Sequence, residues 1–149
     1  MFRYKLIVLF SFAAIMANCS TPSFQKKDNG IIVSLKQKVP NSVSTVRLEV
    51  ISNDIIHVSA SPDKKLPGFK SLITDIQPDL QAKWDVVKKG NSVILSTQTT
   101  KAIVSLKTGE VNFTDINGKT LLEEQHGGGK TFTPIEVEGK KGYTFRQVF

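Results

Sequence analysis

The chain reads as all-β, an antiparallel β-sandwich, and three observations lead there. Beyond a leader, runs of five to nine residues rich in Val, Ile, Thr and Phe alternate with turn signals to the end of the sequence. Within those runs apolar residues recur at every second position, the period of a half-buried strand, and no stretch sustains the 3.6-residue period of a helix. The 149 residues are 40% hydrophobic and 22% charged with a single cysteine, the balance of one packed domain held without an internal disulfide.

In chain order, residues 1–19 form a signal peptide. Arg3 and Lys5 precede an apolar run over 6–17, shorter than the roughly 20 residues that a permanent membrane span needs. The run closes on Met16-Ala17-Asn18-Cys19-Ser20, which resembles the bacterial lipoprotein signal, in which small residues precede a cysteine that takes the lipid. The resemblance implies lipidation of Cys19, with residues 20–29 as a polar tether; ordinary cleavage after Ala17 is the alternative. Either way the chain is exported, and the lipid would make it a periplasmic or outer-membrane lipoprotein of a bacterium.

The sandwich is expected over 30–149. Residues 31–38 put Ile31, Val33 and Leu35 on one face, and Pro40-Asn41 ends them. Residues 43–51 set Val46, Leu48 and Val50 against Arg47 and Glu49; Ser52-Asn53-Asp54 then turns the chain into 55–60, where Ile56, Val58 and Ala60 share a face. Residues 61–81 hold three of the six prolines and read as a long loop with at most a short strand at 71–73. Strands over 83–88 and 92–96 flank Lys89-Gly90-Asn91, and 100–106 and 110–115 flank Lys107-Thr108-Gly109, with Ala102, Val104, Leu106, Val111 and Phe113 inward. Asn117-Gly118 is the strongest two-residue hairpin signal, followed by 120–123. A last hairpin pairs 131–138 with 143–149 around residues 138–142. The chain stops at Phe149 inside an apolar strand pattern, so the sandwich is expected to be incomplete at its C-terminus.

Charge and motifs narrow the function. The net charge is +7, or +5 once Arg3 and Lys5 leave with the leader, and the lysines are scattered beside turns rather than clustered to track a nucleic-acid backbone. No nucleic-acid partner is expected. Two histidines and one cysteine make a zinc set improbable, and no cofactor is expected. His126-Gly127-Gly128-Gly129-Lys130-Thr131 ends like a phosphate-binding loop, but position 124 is Glu instead of Gly and a strand follows where a helix is needed, so it reads as a flexible surface loop. Adjacent Glu123 and Glu124 would point to opposite faces of a strand and read as solvated loop residues; Asp75 with Asp79 is the other acid pair. His57 sits mid-strand and His126 in a loop, neither with the surroundings of a catalytic base. Trp84, Phe69, Phe132 and Tyr143 could form a sugar-stacking platform, since an aromatic face packs on a pyranose, with Trp84, Phe69 and Tyr143 as the candidate carbohydrate contacts; Trp84 alternates with Val86 on a strand, which is more often a core position.

Residues 28–62, 83–97 and 99–122 together resemble the N-terminal β-sandwich of glycoside hydrolase family 31 (GH31), the galactose mutarotase-like domain that precedes the catalytic barrel of α-xylosidases and α-glucosidases. The segment VRLEVISNDIIHVSASP, the hairpin at Trp84 and the strand-turn-strand ending in DINGKTLL carry the resemblance. It implies a non-catalytic domain that packs on a barrel, lends a loop to the rim of the sugar pocket and serves an enzyme for α-linked xylosides or glucosides. The family's aspartate nucleophile and aspartate acid/base belong to the barrel, so no catalytic residue is carried over and the chain is expected to be inactive alone. The other expectation is a free-standing surface lipoprotein that binds carbohydrate without catalysis.

Overall fold

The computed structural model describes residues 23–36, 39–66, 68, 78–79 and 81–149. The leader, Cys19, Phe69, Asp75 and the segment 71–73 lie outside them. Eleven strands are found among the described residues: β1 (Phe24–Lys27), β2 (Gly30–Ser34), β3 (Thr45–Val50), β4 (Ile56–Ser61), β5 (Asp85–Lys89), β6 (Ser92–Ser96), β7 (Thr100–Ser105), β8 (Val111–Asp115), β9 (Thr120–Leu122), β10 (Lys130–Val137) and β11 (Lys140–Gln147). They form a four-stranded sheet β1-β2-β3-β4, a five-stranded sheet β5-β6-β7-β8-β9 and a two-stranded ribbon β10-β11, all antiparallel.

The period-two reading of the sequence decides which faces meet. Ile31, Val33, Val46, Leu48 and Val50 from the first sheet pack with Val93, Leu95, Ala102, Val104 and Val111 from the second in one buried cluster. Fully burying such a side chain stabilises the fold by about 1.5–3 kcal/mol. The two sheets are also tied at one end, where the Thr97 and Thr99 hydroxyls both donate to the Asn53 carbonyl at 2.5 and 2.6 Å. The expected all-β sandwich is therefore what forms.

Three local readings need correction. Phe24–Lys27, assigned from sequence to the tether, is edge strand β1, joined to β2 through the two-residue turn Asp28-Asn29. The Asn117-Gly118 hairpin closes with three residues, 116–118, because the Asp115 N–H donates to the Lys119 carbonyl at 2.9 Å and Gly118 takes a φ of 93°. The last hairpin is tighter than expected. Lys140 already pairs with Val137, so Glu138 and Gly139, both at positive φ, form the whole loop, the pattern of a two-residue turn that matches strand twist.

Candidate functional site

The ribbon β10–β11 is one of the places where the fold leaves large apolar side chains exposed. Its base is built into the sandwich, while residues 133–146 are exposed throughout. Alternation puts Phe132, Pro134 and Glu136 of β10 on one face with their register partners Phe145, Tyr143 and Lys141 of β11. Phe132 is buried at the base, with Tyr143 edge-on to it at 6.2 Å and Phe145 tilted against it at 5.0 Å. Tyr143 and Phe145 nevertheless remain about half exposed, at 46% and 49%. The arm thus carries an aromatic face, held at its base by Phe132, with Glu136 and Lys141 opposite each other farther out. Pro134, Ile135, Glu136, Lys141, Gly142 and Tyr143 line a shallow groove there. Flat aromatic rings beside charged hydrogen-bonding groups suit a sugar, whose ring has apolar faces and a hydroxyl rim.

The anchor of this arm lies in the segment that resembled a phosphate loop. Lys130, the first residue of β10, is buried, and its ammonium binds the Glu124 carboxylate and donates to the Gly109 carbonyl at 3.2 Å. Glu124 Oε2 also accepts from the Val111 main-chain N–H at 2.8 Å, while Oε1 has no partner among the described residues. Nearby, Glu110 accepts from Asn112 Nδ2 at 2.9 Å and from the Gly127 N–H at 3.0 Å. Glu124 is therefore no solvated loop residue, and Lys130 no surface cation. The glycines have a packing reason: Gly127 and Gly128 sit at φ of 91° and 108°, and a Cβ on Gly129 would press on the Val148 carbonyl and the Glu124 side chain. Main-chain bonds complete the base, from Phe132 N–H to the Asn41 carbonyl at 2.8 Å and from Val148 N–H to the Gly129 carbonyl at 3.1 Å.

Burial pushes the Lys130 ammonium below its ordinary value, and the attraction of Glu124 and Glu110 offsets that only in part. Such a pair fixes position more than it stabilises, because each charge has lost its water.

The other residues singled out from sequence are dispersed. Trp84 packs against the core cluster ahead of β5, with Lys26 Nζ 4.6 Å above its ring, while Tyr143 belongs to the arm. His57 lies in β4 opposite Glu49 and 3.2 Å from it, and Glu49 also holds Arg47 at 3.1 Å. His126 is almost fully exposed, 3.8 Å from Glu110. Sequence reasoning missed Phe145 and the Glu124–Lys130 pair. The alternation of Phe132, Phe145 and Tyr143 across a hairpin was visible, but it required the two-residue turn at Glu138-Gly139 to set the register.

No protein-family profile matches the chain. Among solved structures, a GH31 α-xylosidase from Xanthomonas citri superposes with a TM-score of 0.72 and 37% sequence identity over 83% of this chain. The chain is a GH31-related domain. A GH31 α-xylosidase from a soil metagenome, complexed with xylose, superposes with a TM-score of 0.50 over 69% of the chain at 20% identity, which bears on the fold alone. The GH31-related domain spans 13% and 14% of the lengths of these two proteins. The relationship read from the strand succession is thereby borne out.

Proposed function

We propose that this GH31-related domain is the N-terminal, non-catalytic part of an exported α-glycosidase, an α-xylosidase before an α-glucosidase, acting on plant or dietary oligosaccharides. The observation that carries the reading is the 37% identity to the Xanthomonas citri α-xylosidase over 83% of this chain but only 13% of that one. In the whole enzyme the sandwich packs on the catalytic barrel, and the arm β10–β11 reaches the path by which substrate meets the sugar pocket, its aromatic face turned to the glycan. Hydrolysis with retention needs two carboxyl groups about 5–5.5 Å apart across the bond, and the barrel supplies them. Glu110 and Glu124 instead give their oxygens to main-chain and lysine donors of the sandwich itself. Export rests on the leader, and the lipid on Cys19 holds the enzyme at a membrane.

The test is the complete reading frame, expressed and assayed for release of xylose from an aryl α-xyloside and from a xylose-bearing oligosaccharide. Activity on both is expected. Tyr143→Ala with Phe145→Ala is expected to lower kcat/KM for the oligosaccharide about tenfold, the loss of one or two stacking contacts, and to change that for the aryl xyloside less than about twofold. An equal fall on both substrates would reduce the arm to a structural part. A frame that encodes no further domain, together with glycan binding by the short chain, would give the protein to the free-standing lipoprotein reading.

A further inference from the structure

The two ends of the sandwich differ in charge. At one end, the turns and strand ends that follow β2, β4, β5 and β7 carry Lys36, Lys64, Lys65, Lys88, Lys89 and Lys107, against the exposed carboxylates Asp63 and Glu123. At the other end the strand ends and turns carry Asp28, Asp54, Asp79, Asp85 and Asp115, nearly balanced by Lys27, Lys83, Lys101 and Lys119. A groove opens at the basic end between the two sheets. Lys36, Lys88 and Lys107 line it with Ser23, Ser34 and Asn91, so that it offers ammonium, hydroxyl and amide donors and no carboxylate. None of these three lysines forms an ion pair with a described residue.

Ser23, on the rim of this groove, is four residues from Cys19. Four residues reach at most about 14 Å, so a lipid on Cys19 would hold the groove within that distance of the headgroups. At that distance each lysine of the groove near an anionic surface would add to binding. We propose that the basic end of the sandwich binds an anionic membrane surface, with lipid phosphates seated among Lys36, Lys88 and Lys107. The choice of a membrane over other polyanions rests on the anchored reading above; the groove does not.

Partition of the full chain, recovered from cells, onto vesicles tests both. Vesicles of phosphatidylcholine alone are compared with an equimolar mixture of phosphatidylglycerol and phosphatidylcholine. Tighter partition onto the anionic vesicles is expected, lost with added salt and reduced roughly fivefold for each lysine replaced, or roughly 100-fold in Lys36→Gln/Lys88→Gln/Lys107→Gln. Lys119→Gln, at the opposite end, should leave partition unchanged. Equal partition onto both vesicles would overturn the groove while the lipid anchor stands. Binding to the anionic vesicles alone, with the same lysine dependence, would keep the groove and remove the anchor; binding to neither would overturn both. Polygalacturonate bound more tightly than vesicles through the same lysines would overturn the membrane as the occupant.

Discussion

Lys130→Met is expected to destabilise the domain by about 3–5 kcal/mol, because it leaves the Glu124 carboxylate buried without its counter-charge. Glu124 is 1% exposed, and among the described residues its Oε1 already lacks a partner and only the Val111 N–H would remain for Oε2. The loss should appear as a lower urea midpoint and as faster amide exchange along β10 and β11, since Lys130 is where the arm leaves the sandwich. Glu124→Gln/Lys130→Met should recover most of it. Its amide oxygen still accepts from Val111, and two desolvated charges disappear together. A double variant no more stable than Lys130→Met would show that packing of the lysine stem, rather than the charge pair, holds the site.

Gly30→Ala should cost about 3 kcal/mol, at the upper end of what overpacking does. A methyl group at this position would fall on the Leu48 carbonyl oxygen, with Leu48 C and Glu49 Cα at 2.9 and 3.0 Å behind it. All three are backbone atoms of β3, so no rotamer change relieves the clash; β2 and β3 would have to part where Gly30 pairs with Glu49. Gly90→Ala is the control. It sits in the β5–β6 turn at a φ of 57° with open space where the methyl would go, so it should lose only about 1–2 kcal/mol of left-handed backbone strain. Similar urea midpoints for the two variants would mean that β2 and β3 yield to the added methyl far more easily than their close approach implies.

The strands and their inward faces were legible because alternation is a local property with a global consequence: slipping 45–50 by one residue would bury Arg47 and Glu49 and expose Leu48. What sequence concealed depended on contacts between distant segments. Glu124 and Lys130 flank a glycine run and look solvated, and only the approach of Gly109, Val111 and Val148 removes their water. The aromatic face of the arm was half visible, since Tyr143 was singled out, but the ring it meets is Phe132 of β10, which also packs on Phe145, and not Trp84. Trp84 went instead to the core margin, under Lys26. The strand β1 was missed because FQKK has one apolar residue and no alternation to read; the turn at Asp28-Asn29 sets its pairing to β2, and Phe24 alone packs against the core.

In both large sheets spatial order equals chain order, so every strand pairs with its sequence neighbour through a connection of ten residues or fewer. Closing a short loop costs little chain entropy, and each sheet can zip up hairpin by hairpin without waiting for a remote segment. Sheet β1–β4 ends at Ser61, before β5 begins at Asp85, so a chain emerging N-terminus first can complete one layer before any of the other appears. The late event is docking of the two layers and of the arm's base, where Lys130 and Glu124 give up their water. Vectorial assembly of this kind leaves the apolar inner face of the first layer uncovered until the second arrives, the interval in which a holdase chaperone would be most useful.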